Sequence, residues 1–219
     1  MSEEEVMVAN EAPEEVCTEE QYNYYAAQCK VALDSVVAKI STLLEMPVPD
    51  GKEKISFRIE KRIKAFEDVL EKCDGRGYSK TIKSIRDNIK DVAGVRIVTK
   101  YIDEPKKVEE LLRQIPGLGL DDTEDYITNP KESGYRALHI HANIEVFNPY
   151  DRGIHVIPVE IQLMSGLFCS FAKREHSLRY KNSALTEEES QLMFEMWNGI
   201  YDNELRLIKL RDSMKSRQQ

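Results

Sequence analysis

DVAGVRIV, residues 91–98, sets a carboxylate just ahead of a β-branched run. The stretch 94–101 is apolar enough to read as a buried strand, so Asp91 stands at its mouth. A second apolar stretch, 154–163, carries VEIQ at 159–162. Strand alternation there puts Glu160 and Gln162 on one face and Val159 and Ile161 on the other. Polar residues pointing the same way from an apolar strand either line a site or face solvent. Between these strands lies DYITNPKESGYRALHIH (125–141), and EHSLRYK (175–181) follows them. Two distant carboxylates flanking a loop with Asn129, Lys131, Gly134 and Tyr135 suit a metal-dependent reaction on nucleotide phosphates.

The remaining elements fall around this centre. Residues 19–45 repeat apolar side chains at helical spacing, from Tyr22 and Tyr25 to Ile40, and MPVPDG (46–51) ends the helix. The spacing of Ile59, Ile63, Phe66 and Leu70 predicts a second helix over 55–73, with Arg58 and Arg62 sharing one side. A short helix is expected over 79–89 and another from Asp103 to Gln114. Residues 125–128 read as a short strand. Residues 136–146 and 154–163 form a hairpin across NPYDRG (148–153). Helices over 165–181 and from the capping-box pair Thr186 and Glu189 to about residue 214 complete the chain. The order gives an α/β (α+β) domain: a mixed sheet flanked by helices, with helical extensions at both ends. The expected division is an acidic disordered tail over 1–18, a catalytic domain over 19–183 with its core from 55, and a C-terminal helical extension over 184–219.

Charge is informative once located. The first 20 residues hold eight Glu and no Lys or Arg, so the net −8 belongs to the tail and the rest is neutral. Residues 52–90 hold twelve basic and seven acidic residues, which fits either a triphosphate pocket or a solvated face. No apolar run approaches the roughly 20 residues needed to cross a bilayer. The N-terminus lacks a signal-peptide pattern, and the four cysteines lack CxxC spacing. A cytoplasmic protein without zinc or a disulfide framework is expected.

Phosphoryl and pyrophosphoryl transfer ask for positioning, cations on phosphates and a carboxylate-held Mg²⁺. Asp91 and Glu160 are the candidate metal ligands, since Mg²⁺ takes hard oxygens and often only one or two protein carboxylates. Lys131 can pair with a phosphate and Tyr135 can stack on a base. His139 and His141 alternate on one strand, but no third ligand accompanies them, so hydrogen-bonding roles fit better than zinc.

With these four signatures in this order, residues 55–183 resemble the RelA/SpoT-type synthetase domain, in particular the stand-alone small alarmone synthetases. The resemblance implies a nucleotidyltransferase-like fold. It also implies transfer of the β,γ-pyrophosphate of ATP to the ribose 3′-hydroxyl of GDP or GTP, giving (p)ppGpp and AMP with Mg²⁺. By the match of KRIKAFEDVLEK (61–72) to the family's helix motif, Arg62 stacks on adenine, while Lys64 and Lys72 hold ATP phosphates. Arg96 supplies the other side of the adenine sandwich, where a planar guanidinium suits better than an ammonium. Asp91 and Glu160 match the Mg²⁺ carboxylates, and Tyr135 the tyrosine under the acceptor base. Lys131, His139 and Gln162 match pocket residues around the acceptor and phosphates. Glu175, His176 and Lys181 match a partly structural helix motif. The resemblance also implies a homo-oligomer, with the apolar face of the last helix as its contact or as a cap on the core.

Two departures stand out. Thr123-Glu124 precedes DYI where a basic residue is usual, and Leu163-Met164-Ser165 follows VEIQ where Ile-Arg-Thr is common. Both remove positive charge near the expected phosphates. They open an alternative, a toxic relative that modifies the 3′-CCA end of tRNA and is held by an antitoxin. An adenosine-nucleotide acceptor is a further alternative, as is a nucleotide-binding regulator without turnover. The acidic tail and neutral body oppose RNA, whose affinity rests on a basic footprint.

Overall fold

The computed structural model describes residues 15–48, 54–181 and 185–217. The acidic residues 1–14 lie outside the described residues. The packed chain is anchored before the first helix: Cys17 is buried and its N–H donates to the Lys80 carbonyl at 2.8 Å.

The elements run α1 (Glu19–Glu45), β1 (Phe57–Ile63), α2 (Phe66–Arg76), α3 (Ile82–Asn88), β2 (Ala93–Thr99), α4 (Glu104–Leu112), β3 (Gly119–Leu120), β4 (Glu124–Asp125), β5 (Leu138–Asn148), β6 (Gly153–Ser165), α5 (Gly166–Lys181) and α6 (Glu187–Lys215). The strands form one mixed sheet in the order β1-β2-β6-β5-β3, with β4 also on β5. β1 and β2 are antiparallel, β2 and β6 parallel, and β6 and β5 an antiparallel hairpin. The expected mixed sheet flanked by helices is therefore present.

α1 starts on a capping box between Thr18 and Gln21. It buries Tyr25, Cys29, Ala32, Leu33, Val36 and Ile40, a helical stripe laid on the sheet. α6 starts on the expected box between Thr186 and Glu189. In the hairpin turn, Asn148 accepts from the Tyr150 N–H and Asp151 from the Gly153 N–H, which fixes the β5–β6 register.

The expected helix over 55–73 is incorrect. Residues 57–63 form a strand paired along its length with β2, and a helix begins only at Phe66. The four-residue spacing of Ile59 and Ile63, or of Arg58 and Arg62, satisfies both a 3.6 and a 2.0 period. Ile55, Phe57 and Ile59 alternate with polar residues, and cross-strand pairing with β2 decides between the two. The KRIKAFEDVLEK segment thus spans a strand end, a turn and a helix. The strand expected over 125–128 is the shorter β4, and β3 has too few residues to carry a pattern.

Candidate active site

The sheet pairings explain how residues far apart in sequence converge. β2 and β6 run parallel with Gly94 opposite Glu160, and Asp91, just ahead of β2, lines the same cavity as Glu160 and repels its charge. His139 of β5 lies opposite Gln162 of β6, and Arg96 of β2 lies opposite Gln162 on the other side. On β1, Arg62 faces Gly94, which has no side chain to fill the space between Arg62 and Arg96. A cavity of about 710 Å³ opens over this surface. Eight expected site residues line it: Arg62, Asp91, Arg96, Lys131, Tyr135, His139, Glu160 and Gln162.

Lys64 and Lys72 are placed differently: both reach Asp91 from behind. Lys64 Nζ donates to Asp91 Oδ2 at 2.6 Å. Lys72 Nζ lies 2.9 Å from Oδ1, a close ion pair poorly directed for a hydrogen bond. The turn that carries Lys64 is itself held, since its N–H donates to the Val92 carbonyl at 2.9 Å and its carbonyl accepts from the Tyr22 hydroxyl. Burial pushes the Asp91 carboxyl up, but the two ammoniums outweigh that and hold it below the usual carboxylate value.

A continuous hydrogen-bond chain crosses the cavity floor. Arg96 Nη2 and Nε donate to Gln162 Oε1 at 2.9 and 3.2 Å. Gln162 Nε2 donates to Glu160 Oε2 at 2.6 Å. Glu160 Oε1 lies 3.2 Å from His139 Nδ1, and His139 Nε2 lies 2.9 Å from the Tyr135 hydroxyl. With Nδ1 donating to Glu160, Nε2 accepts from Tyr135. Burial raises the Glu160 carboxyl, but the His139 contact and the Gln162 bond bring it below its usual value despite the repulsion of Asp91. Both carboxylates are therefore ionised at neutral pH.

Lys131 rests on aromatic faces, 4.4 Å from the Tyr126 ring centroid and 5.4 Å from that of Tyr135. Such exposed contacts hold only about 0.5–1 kcal/mol, so a base or phosphate can displace the ammonium. The cavity wall also includes Glu60, paired with Arg58 and Lys173 at 3.0 and 2.7 Å, and Glu175 and His176 of α5. Sequence reading missed Glu60, since a helix over 55–73 hides the alternation that turns Glu60 and Arg62 to one face, and with it Lys173, whose ion pair with Glu60 joins α5 to β1. The side chain of Lys181 falls outside the described residues. Of the two departures, Met164 and Ser165 are wholly buried and form no part of the cavity wall.

No group of three or more His, Cys, Asp and Glu among the described residues could hold a metal ion alone. Two carboxylates on one cavity fit a hard divalent cation that keeps water and substrate phosphate oxygens in its shell.

Comparison with known proteins bears on the family and the fold. Residues 61–185 match the family model described as the region found in RelA / SpoT proteins. The GTP pyrophosphokinase YwaC of Bacillus subtilis (strain 168) is 33% identical over 153 residues, 69% of this chain and 71% of YwaC. The GTP pyrophosphokinase YjbM of the same organism is 30% identical over 177 residues, 80% of each chain. The fold superposes on the crystal structure of small alarmone synthetase 1 from Bacillus subtilis bound to its product pppGpp. The TM-score is 0.77, over 89% of this chain and 98% of that one, at 24% identity. A family model spanning more than half of the chain, with two relatives matched over most of their length, makes this protein a member of the RelA/SpoT family.

Proposed function

We propose that this protein is a GTP pyrophosphokinase, moving the β,γ-pyrophosphate of ATP to the 3′-hydroxyl of GDP or GTP to make (p)ppGpp. The observation that carries this is the single cavity in which Asp91 and Glu160 meet Arg62, Arg96 and Tyr135, in a chain related to two GTP pyrophosphokinases.

Arg62 and Arg96 flank the slot above Gly94, where adenine fits between two guanidinium planes. Lys64 and Lys72 meet the ATP phosphates beside Asp91. Tyr135 stacks on the guanine base, and Lys131 leaves its aromatic rest to meet a phosphate. The acceptor 3′-oxygen attacks the β-phosphorus and its proton passes to the Glu160 carboxylate. The bond from the α,β-bridging oxygen to the β-phosphorus breaks and AMP leaves. Asp91 and Glu160 would hold Mg²⁺, which supplies charge neutralisation on the transferring phosphates. His139 and Gln162 keep Glu160 aimed at the cavity.

The protein also self-associates in this proposal. α6 exposes Leu192, Met196, Leu207, Leu210 and Met214, an apolar stripe that a second copy would cover. We place the protein in the cytoplasm. No helix among the described residues is long and apolar enough to cross a membrane, and all four cysteines are free and buried.

The test is a transfer assay with ATP labelled in the γ-phosphate, Mg²⁺, and GDP, GTP, ATP or bulk tRNA supplied separately. Label in a guanosine tetra- or pentaphosphate is expected. Label in tRNA alone would replace this function with a translation-blocking one.

A further inference from the structure

Three consecutive residues of the acceptor loop are seated on α6. Gly134 has a φ of +87°, and a Cβ there would fall 2.7 Å from the Cβ of Trp197. The Tyr135 ring meets the Trp197 ring edge-on at 5.6 Å. Arg136 is buried, with its guanidinium 4.0 Å from the Tyr201 ring centroid. Its Nη1 donates to the Ile127 carbonyl at 2.6 Å and its Nη2 to Asn198 Oδ1 at 3.3 Å.

Trp197 is itself fixed. It is fully buried, stacked on Phe168 at 5.6 Å and edge-on to Phe171 at 4.6 Å. Its Nε1 donates to Glu175 Oε2 at 3.1 Å, and Glu175 belongs to the cavity wall. The Tyr135 ring is thus held at its hydroxyl by His139 and along its body by Trp197. A stacking platform returns its full affinity only if it is ordered before the base arrives. Lys64 and Lys72, assigned to ATP in the function proposed above, are braced by Asp91 instead.

We infer, building on the pyrophosphokinase function above, that Trp197 is a positioning residue for the acceptor nucleotide, with Arg136 as the second clamp on the same loop. α6 therefore sets acceptor affinity without touching the acceptor.

The experiment is steady-state kinetics of Trp197→Leu and Trp197→Phe with GDP and ATP varied in turn, beside a titration of the wild type that follows its single tryptophan. Trp197→Leu is expected to raise the acceptor KM roughly ten-fold while leaving the ATP KM within about two-fold. Trp197→Phe, which keeps an aromatic ring against Tyr135, should recover most of the loss. Emission of wild-type Trp197 should change on saturation with GDP but not with a non-hydrolysable ATP analogue. Equal changes in both KM values, no change in either, or emission indifferent to GDP would overturn the role. Should Trp197→Leu not fold, Arg136→Lys carries the same kinetic test, and a rise in the ATP KM alone would overturn it. A wild type that makes no product from GDP or GTP sinks the pyrophosphokinase function and this role together. An active wild type whose variants keep the acceptor KM sinks only the latter.

Discussion

In the proposed function the donor and acceptor ends of the site are built from different materials. The donor end is charge against charge: Lys64 and Lys72 are drawn onto Asp91, whose side chain is only 15% exposed. The acceptor end is ring against ring, with Tyr135 between His139 and Trp197 and the loop pinned through Arg136. On the proposed function the donor end is held in a competitor's embrace, because phosphates and a cation would have to take these charges from one another. The acceptor end is held by packing that survives substrate arrival. Charge pairs respond to salt and protonation, whereas packed rings respond to volume and shape.

The largest expected effect removes the feature both ends share. Asp91→Asn or Glu160→Gln should lower transfer by at least about 1000-fold in the labelled-ATP assay. Near wild-type turnover in either would break the metal assignment. The variants should differ in stability. Asp91→Asn leaves Lys64 and Lys72 without their counter-charge and should cost up to about 3 kcal/mol in urea unfolding. Glu160→Gln should cost less, because His139 and Gln162 are not a pair of cations.

Next, the ends should separate kinetically. Tyr135→Ala should raise the acceptor KM about ten-fold or more and move the ATP KM little. Lys72→Ala should do the reverse, raising the ATP KM by about ten-fold. Equal losses of both substrates in either variant would erase the division into two ends.

A smaller effect concerns α6. Glu204 is fully buried, accepting from the Ser165 hydroxyl and, at 3.2 Å, from the Ile102 N–H. Burial raises its carboxyl above the ordinary 4.5, and Asp103 and Glu104 add to this. The native state therefore favours the protonated form. That stabilisation is complete below 4.5 and is lost as pH rises through the raised value. Over a window of pH rising from 4.5, the wild type should lose melting temperature that Glu204→Gln does not lose. Parallel curves would show that this carboxyl does not titrate in the window.

Much of this architecture was legible in the sequence, and the failures are specific. Strands over 94–101 and 154–163 are visible because their β-branched runs are bounded by turn residues, and the α6 start because Thr186 and Glu189 form a local box. Residues 55–73 misled because four-residue spacing does not distinguish a helix from a strand when only every second or fourth position is inspected. Eight of ten expected site residues line one cavity, since their short polar signatures lie on or beside strands whose register sets Gly94 opposite Glu160 and Arg96 opposite Gln162. Lys64 and Lys72 were expected on phosphate, and in the structure both pair with Asp91. Trp197 was visible only as part of an apolar helix face. Its contact with Gly134 joins residues far apart in sequence, and no local pattern encodes it.

The parallel pairing of β2 with β6 has a consequence for how the enzyme comes into being. Arg96 and Gln162 are 66 positions apart, and the cavity floor exists only once that pairing closes. Loop-closure entropy makes such a contact slow to form compared with the α1 helix or the β5–β6 hairpin. A chain emerging from synthesis exposes its Arg62 and Lys64 segment long before Glu160 is available. The cavity floor is therefore completed in a late step, and a truncated product ending before β6 keeps Arg62, Lys64, Lys72, Asp91, Arg96 and Lys131 but lacks Glu160 and Gln162.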